Sequence, residues 1–420
     1  MARLHKLSNG VRVICDPIDG FETLALSVVI GRGSRWETKA RAGWAHLLEH
    51  MVFKGAGGRS ARDIVDVIES AGGHINAATG YERTSFQVRA LKGGLALGMD
   101  VIADLIRRPT LNAGDLDREK AVIGQEIAEA QDTPDDFVFD LAQIAAFGDT
   151  AMGRPILGTT SSIGVADPVT LEAFRAQVYG LDRLVISAAG AVDEDELLAL
   201  AERAFGGAVA ASAVSPPEAG AFVGGARTKS ARLEQANLVF MLPTCGASDL
   251  DYYAFRLFAE VLGGGMSSRL FQEVREKQGL AYAIDAFVES YTDVGVLGIF
   301  AGCAAGDAEK AARVSAEQVL ALASAPREDE LSRAKAQLKG GIFMARESAL
   351  SRAEQSAGQT LLFDRLIPPS ELSERIDAIT VADLKRVGER ALSSGLSARA
   401  VLGPGAAGPA AGAFERMIGA

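Results

Sequence analysis

The chain carries two of its segments twice, at one spacing. IGVADPVTLEAF at 163–174 matches IDAITVADLKRV at 376–387, which sets Leu171 over Leu384 at a shift of 213. LNAGDLDREKA at 111–121 matches PREDELSRAKA at 326–336, which sets Leu116 over Leu331 at a shift of 215. Two independent segments agree on a shift of about 214, so the chain reads as a domain of about 200 residues copied once. Each copy has apolar material for a core of its own, because 48% of the 420 residues are hydrophobic and only 23% charged. Between the copies, residues 207–228 are almost all Ala, Gly, Pro, Ser and Val, the composition of a linker. The expected organisation is a first domain at 1–207, a linker at 208–228 and a second domain at 229–420.

Local patterning predicts an α+β fold for each copy. Residues 4–16 alternate about Ser8-Asn9-Gly10, a hairpin signal because Asn-Gly supports positive φ. TLALSVVIG at 23–31 reads as a buried strand, and HINAATGYERTSFQVRAL at 74–91 as one or two strands. GWAHLLEHMVF at 43–53 is too long and has the wrong period for a strand, so it reads as a helix. Ser60 and Asp63 form a capping-box pattern opening a helix that runs to Ser70 and stops at Gly72-Gly73. Further helices are expected at 93–107 and from near Asn112 to about 131. Each domain is therefore expected as a mostly antiparallel sheet with helices packed on one face.

Charge and cysteine usage narrow the function. A net charge of −11 and a pI near 5.1 argue against a nucleic-acid footprint. Cys15, Cys245 and Cys303 are odd in number and widely spaced, which is neither a disulfide framework nor a Cys-type zinc site. The N-terminus MARLHKLSNGVRVICD shows no apolar signal region, and no run has the ~18 apolar residues of a membrane span, so a cytoplasmic location is expected.

Two of the four histidines fall in HLLEH, residues 46–50. On a helix, His46 and His50 lie one turn apart on one face and can both reach a single metal ion. Glu49 is offset on that face, placed to take the proton of an attacking water rather than to ligate. Catalytic zinc wants three protein ligands and an open position. With histidine nearly exhausted, a carboxylate is the expected third donor. The helix starting near Asn112 offers Glu119, Glu126 and Glu129. Glu119 and Glu126 are two turns apart and share a face, so one can ligate while the other supports. Shifted by 214, His46–His50 falls on Glu260-Val-Leu-Gly-Gly264, and no histidine follows His74. If the first copy holds a metal, the second is a degenerate partner kept for another task. His74 itself reads as a structural or rim residue.

These stretches resemble the pitrilysin-type, or inverted-zincin, metallopeptidases, whose signature is His-x-x-Glu-His. The likeness extends from GSRWE at 33–37 through GWAHLLEHMVFKG at 43–55 to GGHINAATGYERTSF at 72–86 and REKAVIGQEI at 118–127. In the second half, SRLFQEVREKQGLAY at 268–282 is similar to the family's Arg…Tyr segment. The resemblance implies zinc held by His46, His50 and Glu126, with Glu49 as the proton-transferring group and Glu119 supporting catalysis. It leaves Glu129 as a solvent-side or structural carboxylate. It implies that Asn76 and Ala77 bind substrate as an added strand, and that Arg275 and Tyr282 contact the substrate backbone or the tetrahedral intermediate. The overall likeness is to two-domain members, those similar to the β subunit of the mitochondrial processing peptidase and its bacterial homologues. Ala56 departs from a frequent threonine. Gly263-Gly264-Gly265 is shorter than the glycine-rich loop of the non-catalytic processing subunit. What the resemblance implies is a zinc endopeptidase acting on extended or unfolded peptides in a chamber formed by a dimer. That dimer is expected to be a homodimer, or a heterodimer with a paralogue. The alternatives are a non-catalytic or partner-dependent assembly subunit, and a metal-dependent hydrolase of a non-peptide substrate.

Overall fold

The computed structural model describes residues 2–207 and 215–419. The first half contains strands β1 (Arg3–Lys6), β2 (Arg12–Pro17), β3 (Thr23–Ile30), β4 (Gly55–Ala56), β5 (Arg59–Ser60), β6 (His74–Thr79), β7 (Thr84–Leu91) and β8 (Leu184–Gly190). Its helices are α1 (Trp44–Val52), α2 (Ala61–Ser70), α3 (Leu95–Arg107), α4 (Ala113–Asp132), α5 (Pro134–Phe147), α6 (Thr160–Gly164), α7 (Pro168–Val178) and α8 (Glu194–Ala201). The second half adds β9 (Gly225–Ser230), β10 (Gln235–Thr244), β11 (Ala281–Ser290), β12 (Gly295–Ala304) and β13 (Ala398–Gly403). With them come α9 (Tyr252–Gly263), α10 (Ala308–Ser324), α11 (Glu328–Ala345), α12 (Ala349–Phe363), α13 (Pro369–Asp377), α14 (Val381–Leu392) and α15 (Pro409–Ile418).

The duplication is explicit in the sheets. One runs β1-β2-β8-β3-β7-β6 and the other, read from its far end, β9-β13-β10-β12-β11. In both, a single parallel pair (β2 with β8, β9 with β13) is followed by antiparallel neighbours throughout. The repeated sequence segments open equivalent helices. Asp167 caps α7 and Thr380 caps α14, each in a capping box, and α4 and α11 begin 215 positions apart. Local expectations recur as built: the β1–β2 hairpin turns at Gly10 with φ 92°, and the Ser60–Asp63 capping box opens α2. Residues 74–91 form the β6–β7 hairpin. Of the expected linker, 208–214 lies outside the described residues, and 225–228 already belongs to β9.

Contacts divide the chain into two compact units. The first is Met1–Ile127, Pro155–Pro217 and Phe343–Ile367; the second is Ala128–Arg154, Glu218–Ile342 and Pro368–Ala420. Each unit therefore takes one helix from the other half of the sequence: α12 packs on β3, β8 and β2, and α5 on β13, β10 and β9. The main core of the first unit lies between its sheet and the helices of one face, with Leu26, Phe86, Leu105 and Phe174 fully buried. On the opposite face, Ile14, Val29 and Val185 close against Ala357 of α12. Alternation explains the two faces: within β3, Leu26, Val28 and Ile30 point one way and Val29 the other.

Candidate metal centre

Helix α1 is fixed at its first turn. Gly43 precedes it at φ 88°, and a Cβ there would lie 2.5 Å from the Leu157 carbonyl oxygen. The cap comes from a distance: the Glu37 carboxylate, 5% exposed, accepts from the backbone N–H of Gly43 at 2.9 Å and of Ala45 at 2.6 Å. Trp44 donates its indole N–H to the Ser162 carbonyl at 2.9 Å. Leu47, Leu48, Met51 and Val52 go into the core, which leaves His46, Glu49 and His50 half-buried on the remaining face.

Helix α4 brings two carboxylates to that face. Glu119, buried, lies with Oε2 at 3.0 Å from His50 Nδ1. A carboxylate can only accept, so Nδ1 donates, which is the tautomer that turns Nε2 toward a metal as the donor atom. Lys54 donates to the other Glu119 oxygen at 2.7 Å. From the turn that follows α1, it holds Glu119 in an ion pair. Glu126 Oε2 lies 3.6 Å from His50 Nε2 and 4.0 Å from His46 Nε2. These separations are too long for hydrogen bonds and suit donors sharing one ion at bonds of about 2.0–2.2 Å. One donor atom from each of the three residues falls within 4.8 Å of the others.

The residues present fit a metal ion on two further counts. Glu126 Oε2 is buried with no hydrogen-bond partner, an orphan that coordination satisfies. Burial, with the neighbouring His50, lowers the His46 pKa to about 4, so the ring is neutral at physiological pH, as a ligand must be. Two imidazoles, one carboxylate and a second carboxylate behind an imidazole are the donor types, with a supporting partner, that a catalytic zinc takes.

Glu49 stands beside this set and outside it. Its Oε2 accepts from the Thr79 hydroxyl at 2.6 Å, and burial raises its carboxyl pKa. Thr79 is the last residue of β6, the edge strand that also carries Asn76 and Ala77. Glu129 is exposed on α4 and His74 exposed at the start of β6. The resembling stretches include Thr79, Lys54 and Glu37 but gave none of them a role. Lys54 lies in the turn just after α1, within the resembling stretch GWAHLLEHMVFKG. What Glu37 and Thr79 do depends on tertiary contacts, so their place in those stretches marks the residues without giving their partners.

The second unit holds the emptied counterpart. At the end of α9, Glu260, Gly263 and the capping Gly264 stand at the places of His46, Glu49 and His50, and at the 215 shift Ala334 and Gly341 replace Glu119 and Glu126. Gly263 lies against β11, where a Cβ would be 2.3 Å from the Ala286 nitrogen, so no side chain fits at the position of Glu49. Arg275 sits in the last turn of the short helix Phe271–Lys277 with its guanidinium over the Phe271 ring at 4.8 Å. Tyr282 lies on β11, the edge strand equivalent to β6, and is 54% exposed.

Fold and donor set together define a chain of two like domains with one His–His–Glu centre. Residues 17–160 match Insulinase (Peptidase family M16), and residues 168–338 match the Peptidase M16 inactive domain. An uncharacterized zinc protease of Rickettsia bellii is 34% identical over 404 residues, covering 96% of this chain and 97% of the relative. The uncharacterized zinc protease YmxG of Bacillus subtilis is 33% identical over 388 residues, covering 92% and 94%. A protease from Helicobacter pylori shares the fold at a TM-score of 0.89 and 20% identity, over 96% of this chain and 99% of that one. A chain of complex III2 from Candida albicans shares it at 0.86 and 20%, over 99% of each. The chain belongs to peptidase family M16. Most of the segment matching the inactive domain falls in the copy that lacks histidines. Among the described residues no helix is long and apolar enough to cross a membrane.

Proposed function

We propose that this chain is a zinc-dependent endopeptidase acting on extended or unfolded peptides. One observation carries the reading: three metal-donor atoms of His46, His50 and Glu126 converge within 4.8 Å, with the Glu49 carboxylate beside them and engaged elsewhere. Zinc held by His46, His50 and Glu126 would supply a Lewis acid for the scissile carbonyl and the attacking water. Glu49 takes a proton from that water and returns it to the leaving amine; a carboxyl pKa raised by burial suits a group that must both accept and donate. Glu119 holds the proton on His50 Nδ1 and so aims Nε2. The edge strand β6 offers the main-chain groups of Ala77, and the side chain of Asn76, to an incoming strand, which makes recognition depend on extended backbone more than on side chains. A homodimer, or a heterodimer with a paralogue, belongs to this reading: Arg275 and Tyr282 of one copy contact peptide at the zinc set of the other, inside a chamber that excludes folded proteins.

The test is cleavage of an unfolded peptide of about 20–30 residues by the purified chain, with chelator and with zinc restored. Zinc-reversible cleavage that Glu49→Gln abolishes while retaining zinc is the expected result. Full cleavage by Glu49→Gln sinks the assignment.

A further inference from the structure

The end of β6 is tied to Glu49 in a way that the proposed reaction does not by itself require. Gly80 N–H donates to the Arg83 carbonyl at 2.8 Å, which fixes the alternation of the β6–β7 ladder. The main-chain groups of Asn76 and Ala78 therefore turn toward β7. Those of Ile75, Ala77 and Thr79 turn to the outer side, where no strand pairs with β6 among the described residues. Thr79 spends its outward N–H on Glu49 and adds its hydroxyl, 2.6 Å from Oε2. The Glu49 carboxylate thus occupies the hydrogen-bond position that a strand added to β6 fills at each alternate residue. Such a strand pairs with both main-chain groups of Ala77 and cannot continue in register past Thr79. Asn76 contributes only its exposed side chain.

We propose that Thr79 is a positioning residue that clamps Glu49 in line with the open edge of β6, so that a peptide paired to Ala77 meets the carboxylate at one bond. This rests on the peptidase reading above. Thr79 sets both the aim of the proton-transferring group and the register of the cut, because one residue closes the strand and holds the carboxylate. The step it serves is the one already described, and Thr79 exchanges no proton or bond with substrate.

The experiment uses the full chain and one extended peptide of about 20–30 residues, with Thr79→Val, Thr79→Ser and Glu49→Gln in parallel. Zinc content, kcat, KM and the cut sites by mass spectrometry are read for each. Thr79→Val keeps zinc and KM, loses kcat by about 10–100-fold, the usual effect of removing an outer-shell partner, and cuts at additional neighbouring bonds. Thr79→Ser restores most of kcat and the original pattern. Wild-type kcat and cut sites in Thr79→Val overturn the proposal, as does a Ser variant no better than Val. If Val disturbs folding, Thr79→Ala replaces it under the same criteria, and loss of zinc or a raised KM in both overturns the proposal. Activity surviving Glu49→Gln defeats the peptidase reading itself. Activity lost in Glu49→Gln but untouched in Thr79→Val defeats only the role of Thr79.

Discussion

His50 is held by a carboxylate that stands outside the candidate metal set. Without Glu119, the imidazole loses the partner that fixes its tautomer, and Lys54 loses its counter-ion. Glu119→Ala should weaken zinc binding by about 10–100-fold in competition with a calibrated chelator, as outer-shell losses generally do. Glu126→Gln should weaken it further, because it removes a donor. The three thiols behave oppositely to a reactive set. Cys15, Cys245 and Cys303 are buried, and burial raises each pKa to about 11. The folded chain should show no fast-reacting thiol at pH 8 and three once denatured, measured with a chromogenic disulfide. The sign of the linkage follows: the folded state keeps its thiol protons above the unfolded pKa of 9.0. This contribution to stability is complete below pH 9 and is lost as pH rises toward 11. Replacing the three cysteines with alanine should flatten that alkaline loss in thermal melts.

Helix α1 shows how an element can be legible while its mounting is not. Its period, its two histidines and its ends could be read at 43–53, because those are local properties. The positive φ of Gly43, its contact with the Leu157 carbonyl and the cap from Glu37 depend on chain remote from the helix. Gly43→Ala should cost about 1–3 kcal/mol from the backbone alone, and more from the contact, read as a lower urea midpoint with reduced zinc content. The carboxylates of α4 were legible to the same degree. Spacing put Glu119 and Glu126 on one face and left their roles open, the resemblance gave Glu126 to the metal and Glu119 to support, and the packed structure adds that Glu119 bonds Nδ1 while Glu126 faces both Nε2 atoms. In α9 the equivalent positions read as degenerate from the absence of histidine. That Gly263 touches the backbone of β11 was beyond the sequence. Rebuilding the motif there should fail: Gly263→Glu should lower the melting temperature without adding a second zinc equivalent.

At the scale of the whole chain, the duplication was legible and the exchange between its copies was not. The shift of about 214 reappears in strand order, pairing sense and helix caps. Nothing in a local pattern tells which sheet an amphipathic helix will cover, so the crossing of α5 and α12 emerges only from contacts. One ion pair marks it: Arg352 of α12 holds Asp16 of β2 through two bonds of 2.7 Å, and Asp16 is 1% exposed. Arg352→Ala leaves that carboxylate buried and unpaired and should cost about 3–5 kcal/mol in denaturant titration. Adding Asp16→Asn should recover part of the loss. The exchange also bears on how the protein is made. The first sheet stays uncovered on one face until synthesis passes Phe363, long after its own strands are complete. Each half lacks the helix that covers one face of its sheet, so a polypeptide cut at the middle should give fragments that aggregate apart and become soluble only when produced together.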